Sequence, residues 1–219
     1  MTTVLSAESA TRRRAAELVL LFTGGPALLT LGPRWLVSVA ILTSGLLCTA
    51  VLLRDPNFSR RDLLGAAGLR PGLGVVLRRA LLVSLGLLIL TVATVPRSLF
   101  AFPRQRTSVW LLVMVLYPLS AWVQEIVFRT FFFHRYGHLF ATARRRILAS
   151  GLIFGWAHVV VNDLAAIPLA AVAGLLLAST YERSRSTLLV SIEHALYGDV
   201  VFTVGLGALF YSSARWIAH

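Results

Sequence analysis

Residues 35–53 contain no charged side chain, and neither do residues 80–96 or residues 107–124. At 1.5 Å per residue each run can make a helix close to the ~30 Å thickness of a bilayer's hydrocarbon core. In hydrocarbon every backbone N–H and C=O must find a partner within the protein, which leaves helices or closed barrels. The short alternating segments of a barrel are absent, so the runs predict an all-α polytopic membrane protein. The rest of the chain agrees: it is 57% hydrophobic, with a mean hydropathy of +0.78.

Breaks in hydropathy suggest about eight transmembrane helices in one bundle, near residues 15–31, 35–53, 75–95, 107–133, 147–162, 164–180, 187–198 and 199–216. Gly32-Pro33 reads as a tight turn, and Gly198 as a break between the last two spans. Arg78 and Arg79 at the start of the third span read as side chains that snorkel to the surface. The short turns after the fifth and sixth spans imply antiparallel neighbours. A single membrane domain results. Residues 1–106 supply a polar tail and the first three spans, and residues 107–219 form a core of five spans.

The net charge of +12 sets 21 basic residues, all arginine, against nine acidic ones. It calls for no nucleic-acid partner. Arginines gathered in loops on the cytoplasmic side of a lipid bilayer give the same total, and their distribution favours both termini inside. Arg34, Arg97, Arg104 and Arg106 fall in the outer loops of this topology. The one cysteine, Cys48, excludes an intramolecular disulfide and a thiolate metal cluster.

Three spans carry ionisable groups well inside their boundaries. Glu125 and Arg129 share a helix face at i, i+4 and can pair. Glu125 and His194 lie roughly 13 Å from the cytoplasmic ends of their spans and His158 roughly 18 Å, from the rise per residue. A glutamate and two histidines from three helices therefore reach about one level. Charges in hydrocarbon are costly, which makes them functional-site candidates. Two chemistries suit the set. One is hydrolysis at a Zn²⁺ held by Glu125, His158 and His194. The other needs no cofactor: a carboxylate and imidazole activate water, and a second imidazole stabilises the oxyanion. Neither histidine has the HExxH spacing of a helical zinc site. Purely structural roles, an ion pair and cross-helix hydrogen bonds, remain the alternative for each of these residues.

The ordered motifs Gln124-Glu125-xxx-Arg129, Phe154-xxx-His158 and His194 followed by Gly198 and Asp199 resemble the CPBP family of intramembrane proteases. That family includes CAAX-prenyl endopeptidases and bacteriocin-processing proteins, and its signature is EExxxR, FxxxH and HxxxN. The resemblance covers about residues 107–210 and looks closest to a bacterial branch with QE in place of EE. It implies an eight-helix bundle in a bacterial cytoplasmic membrane, with a catalytic cavity open toward the cytoplasm. It also implies a membrane-associated protein or peptide as substrate. The first glutamate and the FxxxH histidine of the family are thought to activate water, and the later histidine and asparagine to support the oxyanion.

This chain departs at two positions. Gln124 stands at the first glutamate, and Gly198 stands where HxxxN has asparagine. Glutamine is no general base, and neighbouring helical residues point about 100° apart. A rotated or distorted helix is therefore needed for Glu125 to serve. The resulting expectation is an intramembrane endopeptidase in which Glu125 activates water with His158. His194 binds the oxyanion or a metal, and Arg129 orients Glu125. Gln124, Asp199 and Glu193 support the site. The rival readings are a catalytically inactive relative that scaffolds a membrane partner, and a small proton-coupled transporter.

Overall fold

The computed structural model describes residues 2–210, and among them all regular structure is helical. The elements are α1 (Thr2–Val19), α2 (Gly25–Leu29), α3 (Trp35–Arg54), α4 (Leu69–Thr94), α5 (Ala101–Gln105), α6 (Thr107–Glu125), α7 (Phe132–Tyr136), α8 (Ala143–Ala157), α9 (Ala166–Ser184), α10 (Thr187–Val204) and α11 (Gly207–Phe210). π-helical turns at Leu20–Gly24 and Ile126–Phe131 join α1 to α2 and α6 to α7. Four helical stretches among the described residues are long and apolar enough to cross a membrane: Trp35–Arg54, Ala66–Thr94, Thr107–Leu139 and Thr187–Val204.

The expected break at Gly198 does not occur. α10 runs unbroken through it and ends at Gly205, whose φ of 107° suits glycine. Gly198 is instead a notch, because a Cβ there would collide with the ring and hydroxyl of Tyr117 on α6. Small residues let membrane helices approach closely, and that contact keeps a helix intact through a residue that would otherwise weaken it. The last part of the expected eighth span, residues 211–216, lies outside the described residues.

α8 and α9 form the tightest crossing. Gly151 and Gly155 on α8 face α9, where an added Cβ would come within 2.6 Å of Leu175 Cδ2 and of Ala171 Cβ respectively. Gly174 on α9 abuts the Gly151 carbonyl in return. This is close packing of two backbones through a small-xxx-small pair. Below it lies an aromatic core. The Phe22 ring meets Phe128, Phe132 and Tyr136 edge-on, with centroids 5.7–6.0 Å apart. Glu17 on α1 accepts from Arg135 Nε (2.6 Å) and Tyr136 Oη (2.9 Å), which ties the first helix to α7.

α10 lies centrally, packed against α4, α6 and α9. Its link to α4 corrects the reading of Arg79. That side chain turns inward, and its Nη1 donates to Glu193 Oε1 (3.0 Å), the Leu176 carbonyl (3.1 Å) and Thr180 Oγ1 (3.0 Å). Tyr197 Oη also donates to Glu193 Oε1 (2.6 Å). A carboxylate and the polar atoms of α9 at the same level hold the guanidinium more firmly than the distant surface could.

α3 is the peripheral helix. Only Gly45 and Leu52 are buried along it. Gly45 meets Val123 of α6, with no room there for a Cβ. The N-terminal half of α3 stands off, leaving a cavity of about 2010 Å³ between α2, α3, α6 and α10.

Candidate functional site

Glu125 is the last residue of α6, and the π-helical turn Ile126–Phe131 begins immediately after it. A π turn admits an extra residue and changes the angular relation of the segments on either side. It also frees backbone groups, and Ser150 Oγ of α8 donates to the Phe128 carbonyl at 3.0 Å. The helix is thus locally distorted at the motif. Its effect is to turn Glu125 into the protein and leave Gln124 on the cavity wall.

The Glu125 carboxylate is fully buried and divided between two partners. Oε1 lies 2.7 Å from His194 Nδ1 on α10. Oε2 lies 3.1 Å from Arg129 Nε, as an ion pair without hydrogen-bond alignment. Arg129, also fully buried, donates from Nη2 to the Gly174 carbonyl (3.2 Å) and stacks its guanidinium 4.4 Å from the Phe154 ring centre. Its Nη1 has no hydrogen-bond partner among the described residues. A charge pair with these contacts offsets much of the cost of burial, and removing either partner would leave the other exposed to the full penalty.

Phe154 is the platform of the site. The His158 ring packs on it at 4.8 Å, the His194 ring at 5.3 Å, and both imidazoles line the cavity. His158 Nδ1 sits 2.8 Å from the Phe154 carbonyl. A carbonyl only accepts, so His158 carries its proton on Nδ1. Glu125 likewise fixes the Nδ1–H tautomer of neutral His194. Each neutral imidazole therefore keeps a bare Nε2 lone pair for the cavity.

The sequence expectation joined Glu125 to His158. In the fold the Glu125 carboxylate meets His194 instead, and no hydrogen bond joins it to His158 among the described residues. Gln124 lines the cavity and donates to Ser120 Oγ at 3.1 Å. Glu193 faces α4 and binds Arg79, away from the cavity. Asp199 also lies off the cavity wall, its Oδ1 buried without a hydrogen-bond partner among the described residues. Sequence reading missed Phe154 as a shared platform and Tyr117 as a cavity residue. The first had a signal in the aromatic one turn before His158. The second had none before Gly198 was seen to continue its helix.

A three-ligand zinc site does not fit this arrangement. Two Nε2 atoms are available, but the third candidate, Glu125, directs its oxygens to His194 and Arg129. Among the described residues no three histidine, cysteine, aspartate or glutamate side chains gather to hold a metal ion.

No curated protein matches the chain, and no solved structure does. A family model does match, over residues 105–198, and that segment holds Glu125, Arg129, His158 and His194. Over residues 105–198 the chain is thus similar to the protease family described as Type II CAAX prenyl endopeptidase Rce1-like.

Proposed function

We propose that the chain is an intramembrane endopeptidase that hydrolyses a peptide bond of a membrane-associated protein or peptide near the cytoplasmic face. The observation that carries the reading is the 2.7 Å contact between buried Glu125 and cavity-lining His194. A carboxylate behind an imidazole fixes its tautomer and stabilises the imidazolium that forms when the other nitrogen takes a proton. His194 Nε2 then acts as general base toward water, and His158 Nε2 accepts a second hydrogen bond that fixes the water. Arg129 balances the charge on Glu125. Glu125 thus works through His194 as a positioning residue. The family match over residues 105–198 supports proteolysis. The arginine distribution supports a multi-pass protein with both termini inside, and the resemblance to a bacterial branch of the family supports a bacterial cytoplasmic membrane. Residues 107–219 are its catalytic core.

One observation favours a second reading, a non-hydrolytic protein that binds a membrane partner in the same cavity: the residue on the cavity wall is Gln124, an amide, while the carboxylate beside it is buried. Cleavage of membrane-tethered reporter peptides in proteoliposomes separates the two. The endopeptidase reading predicts cleavage by the wild type and its loss in His158→Ala and His194→Ala. Binding of the reporters without cleavage would favour the second reading.

A further inference from the structure

We propose that Tyr117 is a further catalytic residue, whose hydroxyl donates a hydrogen bond to the carbonyl oxygen of the peptide bond being cut. The proposal rests on the endopeptidase reading above. Three observations place the phenol on the cavity wall beside His194. Tyr117 lines the same cavity as His158 and His194. Its ring stands edge-on to His194, with centroids 5.8 Å apart and planes at 85°. Its Cε1, Cζ and hydroxyl fill the space over Gly198 that a side chain at that position would need, one helical turn beyond His194.

The chemistry needs such a donor. The hydrogen bonds to Glu125 and to the Phe154 carbonyl leave both neutral histidines presenting lone pairs, and neither can stabilise negative charge on oxygen before it is protonated. Gln124 spends one of its two amide hydrogens on Ser120. A phenol is both donor and acceptor, and its O–H supplies the missing polarity.

The step balances within the site. Water oxygen bonds to the carbonyl carbon as His194 Nε2 takes one water proton. The carbonyl π pair moves onto oxygen, where the Tyr117 O–H meets it. The pair then re-forms the carbonyl, the C–N bond breaks, and the His194 imidazolium gives its proton to the departing amine. A carboxylic acid and an amine result, and Tyr117 keeps its proton throughout. Gly198 is the complement of this device. A larger residue there would displace the ring from the wall.

The test compares wild type, Tyr117→Phe and His194→Ala in proteoliposomes, using a panel of membrane-tethered, internally quenched peptides, with thermal unfolding of each protein in detergent. Phenylalanine keeps the ring over Gly198 and deletes only the hydroxyl. The expected result is a kcat lower by about 10²-fold, the scale for loss of one oxyanion donor, with KM and the unfolding midpoint unchanged. Wild-type cleavage with full-rate turnover by Tyr117→Phe overturns this proposal alone, as does a loss carried by KM or by stability. A wild type that leaves every peptide intact overturns the endopeptidase reading and this proposal together.

Discussion

Glu125 Oε1 and His194 Nδ1 stand 2.7 Å apart, one from the end of α6 and the other from the middle of α10. The same carboxylate also faces Arg129, so a single buried group joins the charge balance of the bundle to the orientation of a cavity imidazole. Structure and chemistry are therefore coupled at Glu125, and variants there have to be read for both.

Arg129→Met should be strongly destabilising. It leaves the fully buried Glu125 carboxylate without its cation and removes the donor to the Gly174 carbonyl. Breaking one side of a buried pair costs about 3–5 kcal/mol. The double variant Glu125→Gln/Arg129→Met should lose less than the sum of the two single variants, because no charge is stranded in it. Unfolding in detergent at fixed lipid content measures all three.

The α8–α9 crossing predicts a sharp contrast between glycines. Gly151→Val drives a side chain into Leu175 and should cost about 1–3 kcal/mol, the usual penalty for overpacking. Gly86→Ala on α4 has no atom within 4 Å of the new Cβ and should be neutral to stabilising, by up to about 1 kcal/mol, because alanine favours a helix interior over glycine. Unfolding midpoints of the two variants side by side check this.

Much of the site could be read from the chain because hydrocarbon penalises charge. Glu125, His158 and His194 are candidates at about one depth for that reason, and Arg129 is a candidate as the i+4 partner of Glu125. Arg79 and Glu193 were harder. An arginine at the start of a span satisfies the same pattern whether it snorkels or turns inward, and the carboxylate of Glu193 with the carbonyl of Leu176 and the hydroxyl of Thr180 on α9 decides between them. Gly198 had the same ambiguity, as breaker or as notch, and Tyr117 resolves it from another helix. The π turn after Glu125 contains neither proline nor glycine to announce it. What local sequence concealed were the choices made by a partner distant along the chain.

Two ion pairs whose carboxylates lie outside the spans predict a loss of stability in acid. The hydrogen bond from His134 holds the Asp55 carboxyl below the usual range, and that from Arg146 does the same for Glu182. A carboxyl lowered in the folded state contributes stability once pH exceeds its unfolded value, about 4. That contribution disappears as pH falls through the folded value. The unfolding midpoint should therefore drop as pH is lowered below about 4, and Arg146→Met should flatten part of that drop while leaving His134–Asp55 in place. A pH series of thermal unfolding on both proteins reads the effect.

The most direct test of the account sets two neighbours against each other. Glu125→Gln and Gln124→Ala are compared with wild type for cleavage of the membrane-tethered peptides, at a temperature where each is shown to be folded. Glu125→Gln removes the carboxylate behind His194 and should lower turnover by roughly 10²–10⁴-fold, the range for a lost base or base-orienting carboxylate. Gln124→Ala alters only the cavity wall and should reduce turnover in part. Wild-type turnover by folded Glu125→Gln protein would contradict the account at its centre.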